Sequence, residues 1–440
     1  MKQSRIVSCG PKFAGIGKAW FINMSKKNTG TMIGYELNNT YAQISYLKAG
    51  DAEPETASVV LGADQFTIPT ALKKKSDSNL WLFGKDALKE EGVITRLLDL
   101  AIDGAEITVG EERIDPVALL ALFIKRSLSV LTISVNIEHV TAFMFTTPSI
   151  TPRTVEIIEQ VAVSLDLPPE RVYLQSYRES MYHYVVHQPK ELWNHQVLLF
   201  DYSSHMKVFR LEGNKKTTPI AVFIDSESFP ALRYSSGPSE RTKREWDEQF
   251  LAIAKDMIKS RFISSVYLIG EGFKDEWAND SLKYLCTGRR VFRGNNLYSK
   301  GACYGAMEKI NPGEISKTMI FLGEDKLKAN IGIRLLRSGI PSYCAILDAG
   351  ISWHECESSL EIILDKETEL QLIITSLTGG HVSERLITLD GLPERPPRTT
   401  RLQLALRLKS ADTALLTITD LGFGALFPAS GKEWIKEIAL

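Results

Sequence analysis

Apolar and polar positions alternate along this chain in two short passages of the same shape. Thr31-Met32-Ile33-Gly34-Tyr35-Glu36-Leu37 breaks at Asn38-Asn39-Thr40 and resumes as Tyr41-Ala42-Gln43-Ile44-Ser45-Tyr46. Gln196-Val197-Leu198-Leu199-Phe200-Asp201 breaks at Tyr202-Ser203-Ser204-His205 and resumes as Met206-Lys207-Val208-Phe209-Arg210-Leu211. Each pattern predicts a β-hairpin with small polar residues at the bend and one acid near the strand end.

Around the first hairpin the pattern predicts further strands at Ser58–Leu61, Phe66–Thr70 and Leu80–Gly84. A helix is expected over 115–133, where Asp115 precedes Pro116 at the start of an apolar stripe. A buried strand over Val140–Thr147 runs into Pro148, a helix follows from about Pro152 to Leu165, and Val172–Gln175 returns as a strand. The second half repeats the scheme. Strands at 196–201, 206–211 and 219–224 precede an amphipathic helix from about Glu240 to Lys259, and Ser265–Ile269 is a strand ending in Gly270-Glu271-Gly272. From about 317 onward short alternating strands dominate, among them Leu360–Leu364, Glu369–Ile374, Leu402–Leu408 and Ala414–Thr419, with a short helix expected at Glu433–Lys436. An antiparallel sandwich is the natural solution for such a set. The organisation expected is a poorly ordered extension over 1–30, an α/β domain over 31–310 with lobes at about 31–190 and 191–310, a linker over 311–316 marked by Asn311-Pro312-Gly313, and an all-β domain over 317–440.

Composition narrows the function classes. With 440 residues, 44% of them hydrophobic, the chain can build several real cores. A formal net charge of -1 gives no global electrostatic reason to expect nucleic acid or an anionic membrane as partner. No apolar run approaches the roughly 18 residues of a membrane span, and Ala14–Asn23 is too short and interrupted for a signal sequence, so no transmembrane segment and a cytoplasmic location are expected. Five scattered cysteines suggest neither a disulfide framework nor a thiolate zinc site. Neither a GxSxG elbow nor an HExxH helix occurs.

The order of these motifs resembles that of the DnaK-type heat-shock chaperones, members of the actin-like ATPase superfamily, over roughly residues 31–425. Ile33–Thr40 sits where that family has its first phosphate loop, Phe66–Thr70 with Leu82–Ala87 matches its next strands, and Phe145-Thr146-Thr147-Pro148 its strand ending in Pro. Asp201–Ser204 falls on the second phosphate loop, Leu268–Phe273 on the adenosine-contacting turn, and Ala302–Ala306 on the segment that closes the domain. The resemblance implies an α/β two-lobed actin-like ATPase fold followed by an all-β sandwich that binds peptide. It also implies ATP or ADP with Mg2+ as cofactor. Glu36 and Asp201 would stand at the metal, Asn38, Asn39, Thr40, Ser203 and Ser204 at the phosphates, and Gly270, Glu271 and Gly272 at the nucleoside. His205, in the second loop, is a candidate donor to phosphate.

Departures from the family pattern shape the functional expectation. Phosphate loops rich in glycine let backbone N–H groups cup an anion with no Cβ in the way, yet Asn and Ser stand here, and Glu36 replaces an Asp. The family's catalytic lysine falls near Thr95-Arg96 and its water-positioning glutamate near Ser176, and neither residue is present. Phosphoryl transfer rests on positioning and charge stabilisation, so a weakly or non-hydrolysing pseudo-ATPase is expected, coupled to a sandwich that holds peptide or a partner protein. An active Mg-ATP-dependent chaperone ATPase and an actin-like scaffold are the alternatives. About 18 residues follow Gly422, so no counterpart of the chaperones' helical lid is expected. The oligomeric state is left open. Tyr177, Tyr182, His183 and Tyr184 form an aromatic patch that reads as packing.

Overall fold

The computed structural model describes residues 6–7, 30–60, 62–75, 80–110, 112–132, 135, 140–366 and 368–440. The chain forms two compact units, one through Lys27–Lys215 and Val222–Met319, the other built mainly from Ile320–Leu440.

The larger unit is organised around two sheets. In the first, β1 (Thr31–Leu37), β2 (Tyr41–Leu47), β3 (Thr67–Pro69), β4 (Val140–Thr147) and β5 (Val172–Ser176) lie in the order β5-β4-β1-β2, with β3 and the two-residue strand Glu55–Thr56 both paired to β2. In the second, β6 (Gln196–Asp201), β7 (His205–Asn214), β8 (Ile220–Arg233), β9 (Ile263–Ile269) and β10 (Arg290–Arg293) lie in the order β10-β9-β6-β7-β8. Polarity matches as well as order. β1 is antiparallel to β2 and parallel to β4, which is parallel to β5; β6 is antiparallel to β7 and parallel to β9, which is parallel to β10. The unit therefore contains one four-stranded arrangement twice, each copy opening with a hairpin whose first strand carries an acid at or beside its end. Parallel central strands are covered on both faces, which is why β1 is buried along its whole length.

Helices dock on these sheets from caps written in the sequence. Asp115 accepts from Val117 N–H at the start of α1 (Pro116–Ser127), and Thr151 caps α2 (Pro152–Ser164) through Thr154 N–H. Ser176 caps α3 (Tyr177–Val186) and Ser239 caps α4 (Glu240–Ile258) in the same way. α5 (Asn279–Leu285) packs beside α4. The last long helix, α6 (Leu297–Ile310), lies against β1, β4 and α3. Its approach needs small residues. A Cβ on Gly34 would run into Ser299 O, one on Gly301 into Ser180 O, and one on Gly305 into the Gln175 amide. A lobe boundary at 310 assigns this helix to the second half, whereas it completes the core of the first, where Ala302, Cys303 and Ala306 meet Met32, Ala142 and Met144.

The smaller unit is all-β. β11 (Ala329–Arg337), β12 (Ile340–Leu347), β13 (Glu357–Leu364), β14 (Glu369–Ser376), β15 (Val382–Thr388), β16 (Thr400–Ser410), β17 (Thr413–Gly422) and β18 (Glu433–Ala439) form one sheet. From edge to edge it runs β15-β14-β11, the two-residue strand Ile6–Val7, then β13-β16-β17-β18, with β12 on β11. Alternate residues, such as Leu370, Leu372 and Ile374 or Leu402, Leu404 and Leu406, point into a single core.

Several boundaries differ from the sequence reading. Ile6–Val7, inside the expected poorly ordered extension, pairs with β11 and β13; the other residues of 1–29 lie outside the described residues. The expected linker 311–316 enters a short helix, Glu314–Thr318, and the units part at Met319. Ser58–Val60 is a bend rather than a strand, held by the Ser58 hydroxyl donating to the carbonyls of Val60 and Ala63, and Leu61 lies outside the described residues. The helix expected at Glu433–Lys436 is instead β18. Pairing with β17 buries Trp434 and Ile438, at even spacing, while Ile435 stays 60% exposed.

Candidate functional site

The two hairpin bends bring Glu36 and Asp201 close enough within the larger unit for their charges to act on one another. Glu36 closes β1 with no solvent exposure and accepts a hydrogen bond from Tyr41 Oη at 3.0 Å. Tyr177 also donates to it, while itself accepting from Asn38 Nδ2 at 2.9 Å. With its amide nitrogen turned inward, Gln43 lies 3.3 Å from Glu36 Oε2 and 2.6 Å from Asn295 O. Burial first, with the Asp201 charge adding to it, pushes the Glu36 carboxyl up to about 8 against the hydrogen bonds from Tyr41 and Tyr177. Tyr41, Tyr177 and Tyr298, buried around it, are all pushed well above the ordinary tyrosine value, by burial first and then by Glu36, joined by Asp201 for Tyr41 and Tyr298. They stay protonated donors. Tyr177 and Tyr298 stack with ring centres 4.1 Å apart.

Asp201 is turned toward its own loop. Its Oδ1 accepts from Ser203 N–H at 3.0 Å and Ser203 Oγ at 2.6 Å. Burial raises its carboxyl and the Ser203 bonds oppose the rise. The remaining loop residues are similarly occupied. Asn38 Oδ1 accepts from Thr40 N–H at 2.8 Å and Tyr41 N–H at 2.9 Å, closing the first bend on itself. Asn39 Oδ1 accepts from Asp99 N–H, away from Glu36. Ser204 Oγ and the Ser228 hydroxyl hold the His205 ring between them at 3.2 and 2.8 Å. Burial, then Lys207 and Arg233, shift His205 downward, toward the neutral imidazole.

Gly270, Glu271 and Gly272 divide. Gly270, at φ +102°, sits against the backbone of Tyr202 and Ser203, and its N–H donates to Asn295 Oδ1 at 2.8 Å. Gly272 lies under the Tyr202 ring and donates to Tyr202 O at 2.9 Å. The glycines do permit a close approach, but the group that approaches is the second bend itself. Tyr202 is fully buried, with Tyr234, Trp246, Phe273 and Trp277 around its ring. Glu271 pairs with Lys274 at 2.7 Å.

Arg96, near the position of the family's lysine, is exposed and pairs with Asp99. Gln175 is buried and donates to Ser180 Oγ at 2.7 Å. Among the described residues no group of three or more His, Cys, Asp or Glu side chains is placed to hold a metal ion. Sequence reasoning missed Tyr41, Gln43, Asn295 and Tyr298. Tyr41 and Gln43 alternate on β2 after the bend, a signal that was available, whereas Asn295 and Tyr298 arrive from the far end of the unit.

A twice-repeated α/β arrangement with a buried acid pair, followed by an all-β unit, defines the class of molecule. Residues 53–324 match the model described as a family of unknown function, DUF5716, C-terminal, and residues 326–440 match a domain of unknown function, DUF8552. The first match covers well over half of the chain, which belongs to that family. The two matches meet within a few residues of the structural boundary at Met319. No curated protein matches the chain. No helix among the described residues is long and apolar enough to cross a membrane.

Proposed function

We propose that this protein is a divergent relative of the actin-like ATPases whose nucleotide cleft has become a polar lock with little or no hydrolysis. On this reading its all-β unit is a sandwich that holds extended polypeptide or a partner protein. The observation that carries the reading is the repeated four-stranded arrangement with an acid and a polar bend at the same place in both copies. In the same cleft, the groups that would receive Mg2+ and phosphate are engaged with one another.

The chemistry follows from that engagement. Hydrated Mg2+ needs ionised carboxylates free to accept from its water. Glu36 keeps its proton near neutral pH, and one Asp201 oxygen already accepts twice from Ser203. Phosphate oxygens need N–H and cationic donors, while the bends direct theirs inward, His205 is neutral and Arg96 is engaged with Asp99. Tyr202 fills the space over Gly272 that a nucleoside would use. This residue set does not suit a magnesium nucleotide. The peptide-holding part of the reading is supported by β15, an edge strand whose outward face carries Val382 and Leu386 at 59% and 64% exposure. A cytoplasmic setting belongs to the same proposal.

Calorimetric titration with Mg-ATP and Mg-ADP, alongside a phosphate-release assay, tests the lock. The expected result is no phosphate release above the blank and binding no tighter than about 1 mM. Turnover would establish the working ATPase instead, and micromolar binding without turnover would mean that the cleft opens to admit nucleotide. A labelled apolar heptapeptide, titrated by anisotropy with and without ATP, tests the sandwich. Binding that ATP leaves unchanged, and that Leu386→Lys abolishes, is expected.

A further inference from the structure

We propose that the outer edge of β10 is a docking site for an extended acidic segment of a partner polypeptide, added to the second sheet as a further strand. β10 is the terminal strand of that sheet, bonded to β9 on one side. Gly294 N–H donates inward to Leu268 O at 3.1 Å. Strand alternation therefore turns the N–H and C=O groups of Val291 and Arg293 outward, where another backbone can pair with them.

The side chains specify the occupant. Cys286–Asn296 contains three arginines and no acid. Arg290, Phe292 and Arg293 are exposed. Arg289 donates to the carbonyls of Tyr284 and Leu285 and lies over the Tyr284 ring, which Lys255 also approaches, while Arg293 donates to Phe273 O. None of the three arginines has a carboxylate partner among the described residues. Unpaired cations on an edge are a common guard against aggregation. Here an exposed aromatic, Phe292, stands on the same strand face as Arg290, with Arg293 on the opposite face. Phe292 stacks on Tyr267 at 5.2 Å, and Tyr267 meets Tyr184 edge-on at 5.8 Å, so the edge is stiffened from within and offers an apolar footing beside Arg290. Open backbone groups suit a peptide rather than a nucleic acid, and a chain of net charge -1 supplies no wider positive field. Charge complementarity makes that peptide acidic.

The test is fluorescence anisotropy of the full chain with a labelled ten-residue peptide alternating Glu with Val and Thr, its Lys-for-Glu counterpart, and the acidic peptide N-methylated at alternate residues. The acidic peptide should bind at least about tenfold more tightly than either control, a difference of about 1.4 kcal/mol. Its affinity should fall with added salt, and Arg290→Glu with Arg293→Glu should weaken it by at least about tenfold. If that pair fails to fold, as judged by circular dichroism, Arg290→Gln with Arg293→Gln should give a smaller loss. Equal binding of acidic and basic peptides, or indifference to N-methylation, would overturn the proposal. Tighter binding of a ten-nucleotide single-stranded RNA through the same arginines would overturn it in favour of a nucleic-acid surface.

Discussion

Replacing Glu36 by Gln probes the cleft without changing its shape. The Glu36 carboxyl has an ordinary value of 4.5 and is raised to about 8 in the folded chain, chiefly by burial. Between those values the folded protein holds a proton that the unfolded one releases, so stability falls as pH rises through the window. Each pH interval of one is worth about 1.4 kcal/mol, which places the loss between pH 5 and pH 8 at roughly 3 kcal/mol, to order of magnitude. Glu36→Gln removes the titration and keeps an oxygen for the Tyr41 hydroxyl. Urea unfolding at pH 5, 6.5 and 8 should give nearly equal stabilities for the two proteins at pH 5, and a variant more stable than the parent by roughly 3 kcal/mol at pH 8. Parallel pH curves would refute the reasoning, because they would mean that Glu36 is ionised and fully satisfied where it lies.

Two further substitutions test the frame around the cleft. Gly301→Ala drives a methyl into the Ser180 carbonyl where α6 crosses α3; the overpacking should cost about 1–3 kcal/mol, read as a lower midpoint in denaturant. In the all-β unit, Arg395 forms a two-pronged pair with Asp420 at 2.8 and 2.7 Å, both side chains being almost fully buried. Burial alone would raise the Asp420 carboxyl, but Arg395 and Ser430 hold it well below its ordinary 3.8, so its contribution is present above that value and lost in stronger acid. Arg395→Leu leaves that carboxylate buried and unpaired, and should destabilise the protein by about 3–5 kcal/mol at neutral pH, with the difference from the parent shrinking as pH falls below the ordinary carboxylate value.

Much of the strand scaffold was legible because period-two apolar runs and their breaks are local signals. The bends at Asn38–Thr40 and Tyr202–Ser204, and the caps at Asp115, Thr151 and Ser239, stand where the residue types put them. What escaped depends on partners distant in sequence. Glu433–Ala439 offers Trp and Ile as neighbours, a pairing compatible with helix or strand, and only the open edge of β17 decides between them. Gly270 and Gly272 signal that something comes close, but glycine does not say whether the visitor is a ligand or Tyr202. Nothing in the immediate neighbourhood of Glu36 announces Tyr298 or Asn295, since the cleft is assembled from both ends of the unit. The repeat itself was visible only as two similar hairpins, because strand order and polarity are properties of the sheet and not of any segment.

The seating of α6 on β1 and β4 bears on how the chain is made. Met32, Ala142 and Met144 are covered by residues synthesised about 160 positions after the last of them. During translation this apolar face has to wait uncovered while the whole second sheet leaves the ribosome. A truncation ending before Leu297 would present it permanently, so a fragment cut at the apparent midpoint should be recovered as aggregate, or bound to a cellular holdase, rather than as a folded half.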